Sequence, residues 1–173
     1  MKMRIAGVKK HSSVNGPGVR YVIFFQGCIH HCRQCQNPET WDRSGGEEKD
    51  TAEVISEMLE TRYLDGITLS GGDPLLQPEA AAEIARAAKE KGLNVWAYTG
   101  WTWEQLMNQE AGQEVSEALK YIDVLVDGKF MQELKSNDVI WRGSSNQRLI
   151  WAARSLEEGK VLTLKGKEEQ WLM

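Results

Sequence analysis

Cysteine is scarce in this chain: three in 173 residues, all between positions 28 and 35. Three neighbouring thiols cannot all pair, which excludes a disulfide-stapled scaffold and favours metal or catalytic use in an intracellular setting. Long apolar runs are missing too, and nothing approaches the roughly 18 apolar residues of a membrane span. The opening residues Met1-Lys-Met-Arg-Ile-Ala-Gly7 lack the apolar region and cleavage site of a secretory signal, so the expected location is the cytoplasm. Positive charge is not in excess: 21 Lys and Arg stand against 25 Asp and Glu, a net charge of −4. A nucleic-acid partner needs a basic stripe, and none is present. Low-complexity tracts and linker-like breaks in composition are absent as well.

What remains is ordinary for a globular chain, 41% apolar and 27% charged. The length suits one domain over residues 1–173 around a single core. Arg4–Val8 and Tyr21–Phe25 are rich in β-branched and aromatic residues and are expected as strands. Residues 44–50 read as a polar connection. A helix is expected from Thr51, with Asp50 as cap and Ile55, Met58 and Leu59 on its apolar face.

A repeating unit follows. Gly66–Leu69 is a short apolar strand, and a helix runs from Pro78 to Lys91 with Gly92 just past its end. Asn94–Tyr98 is the next strand, Thr102 caps a further helix, and Ala111-Gly112 breaks it before Val115–Leu119. Ile122–Val126 is another strand. Strand starts near residues 67, 94 and 122 lie 27 and 28 apart, the spacing of successive βαβ units in a parallel sheet. Val161–Leu164 is a candidate last strand, and residues 153–173 match no pattern. Ligands collect at the carboxyl ends of parallel strands, where the unusual loops fall: Cys28–Cys35, Gly71-Gly72-Asp73-Pro74, Thr99-Gly100 and Asp127-Gly128-Lys129.

The cysteines form the pattern C-x₃-C-x₂-C. Three thiolates on one short loop can hold three irons of a [4Fe–4S] cluster and leave the fourth open, whereas electron-transfer clusters usually carry four protein thiolates. A zinc site completed by His11, His30 or His31 uses the same residues, as does a redox-sensing thiol cluster. The cysteines alone leave these readings open.

Other segments carry a resemblance. Asn15-Gly-Pro-Gly-Val-Arg20, Phe24-Phe-Gln-Gly-Cys28 and Cys35-Gln-Asn-Pro-Glu-Thr-Trp-Asp42 resemble the activating enzymes of glycyl-radical proteins, of the radical S-adenosylmethionine (SAM) superfamily. Leu69–Leu75, Tyr98–Trp101, Val124–Phe130 and Trp141–Gln147 narrow the likeness to the activators of anaerobic ribonucleoside-triphosphate reductase. Where the superfamily often has an aromatic residue before its third cysteine, this chain has Gln34.

The resemblance implies an α/β fold, a parallel-sheet partial (β/α) barrel, shortened and open on one side. Cys28, Cys32 and Cys35 would ligate the cluster, with Gln34 and Gln36 beside the cofactor. Gly71, Gly72 and Asp73 would serve the methionyl amine of SAM, the glycines because backbone without a side chain can be approached closely. Asp127 and Lys129, two apart after a buried strand, are expected on one face; Lys129 would neutralise the SAM carboxylate and Asp127 engage a ribose hydroxyl or a cation. Thr99 is a weaker member of the set. Asn37 and Trp41 would shape the cysteine loop, and Gly143–Gln147 would close the site or dock the partner. The implied partners are the glycine-bearing loop of the reductase and a one-electron donor such as flavodoxin or ferredoxin. Competing readings are an activase of a formate-lyase type protein and a zinc-stabilised binding module.

Overall fold

Parity along the strands decides the architecture. In β2 (Arg20–Phe25), Tyr21, Ile23 and Phe25 belong to one apolar cluster, together with Ile67 and Leu69 of β4 (Gly66–Gly71) and Val95 and Ala97 of β5 (Asn94–Tyr98). Side chains alternate across a strand, so the intervening residues form the opposite face. There Trp96 packs with Val124 and Val126 of β6 (Val124–Asp127) and Leu149 of β7 (Arg148–Trp151). Strands buried on both faces read as continuous apolar runs, as these do.

The computed structural model describes residues 1–165. With β1 (Lys2–Ser12) and β3 (Glu47–Asp50), these strands build one open seven-stranded sheet ordered β3-β1-β2-β4-β5-β6-β7. The middle is parallel, from β2 through β4 and β5 to β6, and both margins are antiparallel.

The helices lie against the first face. In α1 (Thr51–Glu60) the Asp50 carboxylate accepts from the Ala52 N–H. In α2 (Pro78–Glu90) Pro78 occupies the first turn, where its missing N–H costs nothing, and Ala81, Ile84, Ala85 and Ala88 are fully buried. The helix ends at Gly92, whose φ of 81° is a left-handed stop. Thr102 and Gln105 cap α3 (Trp103–Met107) reciprocally, and α4 (Val115–Leu119) is separate from it, as Ala111-Gly112 implied. α5 (Ala152–Glu158) follows β7. Among the described residues no helix is long and apolar enough to cross a membrane.

Three expectations need correction. The polar connection 44–50 supplies β3, which pairs with β1 from Lys2↔Asp50 to Ile5↔Glu47; a short charged strand is well suited to a sheet edge. The last strand among the described residues is Arg148–Trp151, whereas in the segment 161–164 only Thr163 bridges, to Ile150. The strand expected from Ile122 begins at Val124.

One buried cation braces the second face. Arg20, 1% exposed, donates to Thr68 Oγ1 at 2.7 Å, Ile67 O at 2.6 Å and Pro17 O at 3.0 Å, and its guanidinium lies over the Trp96 ring. Thr68 Oγ1 donates to Asn15 O at 2.6 Å, so the segment from Val14 to Gly18 is tied across that face.

Candidate functional site

The cysteine loop begins where β2 ends. Its base is closed by main-chain hydrogen bonds from Gly27 N to Thr40 O (2.7 Å) and from Cys28 N to Trp41 O (3.2 Å). The Gln26 amide donates to the carbonyls of Glu39 and Asp42 and braces the returning strand of the loop. All three thiols are half-buried. Asn37 N donates to Cys35 Sγ at 3.4 Å, and the main-chain N–H groups of His30 and His31 act on the Cys28 thiol and that of Phe130 on the Cys32 thiol. Burial pushes the Cys28 and Cys32 thiols up in pKa; these N–H groups oppose it, and at Cys32 so does the Lys129 charge.

All three cysteines face a cavity of about 470 Å³. Its floor is the second face of the sheet, through Phe24, Ser70 and Tyr98. Val14 and Asn15 wall one side, and Phe130, Trp141 and Arg142 another. No Asp or Glu lines it, and Arg142 is its one Lys or Arg among the described residues. The Tyr98 hydroxyl donates to Trp141 O at 2.7 Å, and Gln147 Oε1 accepts from Gly143 N at 3.0 Å, pinning the backbone on both sides of Arg142. A larger cavity of about 790 Å³, at the C-terminal end of α1, contains no cysteine.

Each histidine has a partner in the fold. His30 Nε2 lies 2.7 Å from Asp73 Oδ2, His31 stacks on Trp41 at 4.6 Å, and His11 Nε2 meets Arg62 O at 3.0 Å. Among the described residues no three His, Cys, Asp or Glu side chains gather around a single-ion position. A Cys₃His zinc centre is therefore not assembled here. A cluster distributes its thiolates over separate irons and makes no such demand.

The family described as "4Fe-4S single cluster domain" matches residues 14–150, a span that includes all three cysteines. A phage T4 protein is 38% identical over 143 residues, 79% of this chain and 86% of its own. An Escherichia coli K12 protein is 40% identical over 143 residues (78% and 89%), and a Vibrio cholerae protein 37% over 142 (78% and 88%). Each is named anaerobic ribonucleoside-triphosphate reductase-activating protein. The chain belongs to this family.

With membership of the reductase-activating family in place, the expected site residues can be located. Gln36, Gly71, Gly72 and Thr99 line the cavity beside the three cysteines; Gln34 is exposed and does not line it. Gly71 and Gly72 are required by packing of the chain on itself. A Cβ at Gly71 would stand 2.4 Å from Phe25 N, and one at Gly72 2.2 Å from Gly27 O. Asp73 is fully buried behind the cavity wall, accepting from Leu75 N, Thr99 Oγ1 and Gly100 N besides its bond with His30.

Asp127 and Lys129 line a neighbouring cleft, although the Lys129 charge still reaches Cys32. Val124 and Val126 occupy the second face, so Asp127 turns to the helix side, where it accepts from Trp103 N and pairs with Arg148. Arg148 also pairs with Glu104, and these bonds, the one to Asp127 first, raise its pKa.

The turn at residues 143–147 grips the loop after β6. Gln147 Nε2 donates to Gly128 O, Asn146 Nδ2 to Lys129 O, and Ser144 Oγ accepts from Met131 N. Sequence reasoning did not single out Arg142, Tyr98 or Phe130 for the cavity; Arg142 and Phe130 depend on how the segment after β6 folds back, which has no local signature.

Proposed function

We propose that this chain is a radical SAM activase, holding a [4Fe–4S] cluster on Cys28, Cys32 and Cys35 and generating a glycyl radical on anaerobic ribonucleoside-triphosphate reductase. One observation carries the reading: three thiols face a single cavity on which, among the described residues, no carboxylate lies. The donor set suits a cluster, because the sulfurs are half-buried and backed by N–H groups that stabilise negative charge on them. A cluster held by these cysteines would supply one-electron reduction of SAM, whose products would be methionine and a 5′-deoxyadenosyl radical able to take hydrogen from a backbone glycine of the reductase.

The protein's part is to bind, orient and exclude water. Gly71, Gly72 and Ser70 present backbone and hydroxyl groups along one wall, and Arg142 and Lys129 are the cations on the cavity and at its margin for a carboxylate. Phe24, Tyr98, Phe130 and Trp141 offer aromatic surface for the nucleoside in place of the residue missing at Gln34. The indole N–H groups of Trp41 and Trp141 are buried with no acceptor among the described residues. We take the open sheet as a shortened (β/α) barrel whose unclosed side admits an extended peptide carrying the target glycine. Electrons would come from a one-electron donor of the flavodoxin or ferredoxin type in the cytoplasm.

The test is anaerobic reconstitution with iron and sulfide, reduction in the presence of SAM, and assay of 5′-deoxyadenosine, with reductase added in a second arm. Product from the wild type and none from Cys32→Ala is expected. Silence in both arms from a protein holding a full, reducible cluster would refute the reading.

A further inference from the structure

The cysteine loop contains two residues other than glycine in left-handed backbone, His31 (φ 47°) and Gln34 (φ 60°). Such conformations persist only where the surrounding structure over-determines them. The hydrogen bonds at the loop base hold residues 26–28 and 39–42, outside the strained span. Within it, one side chain reaches deep into the fold. The side chain of His30 is 4% exposed, although its neighbour Ile29 is 46% exposed.

A socket made by two strand-end loops receives the ring. Asp73, after β4, is fully buried and places Oδ2 2.7 Å from His30 Nε2; with the carboxylate accepting, Nε2 carries the proton. Thr99 Oγ1, after β5, donates to the same oxygen at 2.9 Å, and Gly100 N does so at 3.0 Å. Leu75 N holds the other oxygen at 3.0 Å. The edge of the Trp101 ring closes the socket at 5.0 Å. Gly100 is glycine for the same reason: a Cβ there would lie 2.3 Å from His30 Cδ2. Asp73 itself does not line the cavity, whereas His30, Thr99 and Gly100 do, so the carboxylate acts on the site through the groups it holds. The backbone N–H of His30 is also one of the groups that lower the pKa of the Cys28 thiol against its burial.

We propose that His30, seated in the Asp73–Thr99–Gly100 socket, is the positioning residue that holds the cysteine loop ready for its cluster. The proposal rests on the cluster reading above. It makes His30 a partner behind the ligands, a class whose loss typically costs about 10–100-fold in metal affinity. It also ties His30 to reduction potential, because hydrogen bonds to cluster sulfurs favour the reduced, more negative form.

The experiment compares cluster-loaded wild type, His30→Ala and His30→Gln under anaerobic conditions. Iron release to a strong ferrous chelator and the midpoint potential of the cluster are both measured. Iron loss from H30A is expected to be about tenfold faster or more, with its potential shifted to more negative values. H30Q, which can return an amide N–H to Asp73, should recover most of both properties. Wild-type release and potential in H30A, or an H30Q as impaired as H30A, would overturn the proposal while leaving the cluster reading intact. A wild type that takes up no [4Fe–4S] cluster would overturn both. If H30A fails to fold by circular dichroism, Gly100→Ala expels the same ring and carries the same expectations.

Discussion

Replacing Gly72 by Ala tests how the site is built, because no ligand is needed to work out the cost. The new Cβ would stand 2.2 Å from the carbonyl oxygen of Gly27, about 1.2 Å inside ordinary contact at 3.4 Å. The obstacle is backbone, so no side chain can swing aside. Relief requires the loop after β4 to separate from the loop that leads into Cys28. Two main-chain bonds stitch those loops together, Gly72 N to Phe25 O and Asp73 N to Gly27 O, both 2.8 Å. Overpacking costs about 1–3 kcal/mol and each lost bond about 1 kcal/mol. The sum is about 3–5 kcal/mol, a large part of the roughly 5–15 kcal/mol that keeps a domain folded. Urea denaturation of the apoprotein is the assay, followed by iron uptake on reconstitution. Gly92→Ala is the control: its φ is 81° but nothing lies within 4 Å of the added carbon, so only the backbone term of about 1 kcal/mol applies. A Gly72→Ala protein with the wild-type midpoint and wild-type iron content would refute the reasoning.

Other perturbations have separate signatures. Arg148→Ala strands the carboxylate of Asp127, 1% exposed, and should destabilise by about 2–3 kcal/mol in the same urea assay, the low end of the range for a broken buried pair because Arg148 is itself 34% exposed. Arg20→Met leaves the acceptors Ile67 O, Pro17 O and Thr68 Oγ1 without their donor. It should cost about 3 kcal/mol and speed proteolysis of the Val14–Gly18 segment. In the apoprotein, burial raises the Cys28 and Cys32 thiols, so less of the reactive thiolate exists at a given pH than for a free cysteine. Iodoacetamide labelling of these two, followed by peptide mass spectrometry, should therefore be slow at neutral pH and rise through a midpoint above that of free cysteine. Labelling at the free-cysteine rate near pH 7 would contradict the burial.

The legible parts of the fold were those with local signals. Pro78 and Gly92 bracket α2, and Thr102 with Gln105 caps α3, because capping is decided within a few residues. β3 had no such signal: Glu47–Asp50 is charged throughout and becomes a strand only because β1 offers it an edge. Thr163 likewise pairs where β7 lets it, in a single bridge. At the site, cysteine spacing was informative because the residue is rare, while the His30–Asp73 bond joins positions 43 apart and no local pattern announces it. Asp127 and Lys129 were placed together by alternation, and they do share a cleft. Which cleft depended on the parity of β6, set by Val124 and Val126 packing on the second face. The two glycines before Asp73 read as room for a ligand, and the structure gives the space to Phe25 and Gly27.

The most direct test of the central claim is electron paramagnetic resonance on anaerobic ribonucleoside-triphosphate reductase incubated with the cluster-loaded protein, SAM and a one-electron reductant. A glycyl-radical signal should grow with time, vanish when Cys28, Cys32 or Cys35 is changed to Ala, and depend on SAM. A reductase that stays silent beside a protein whose cluster is complete, reduced and bound to SAM would contradict it.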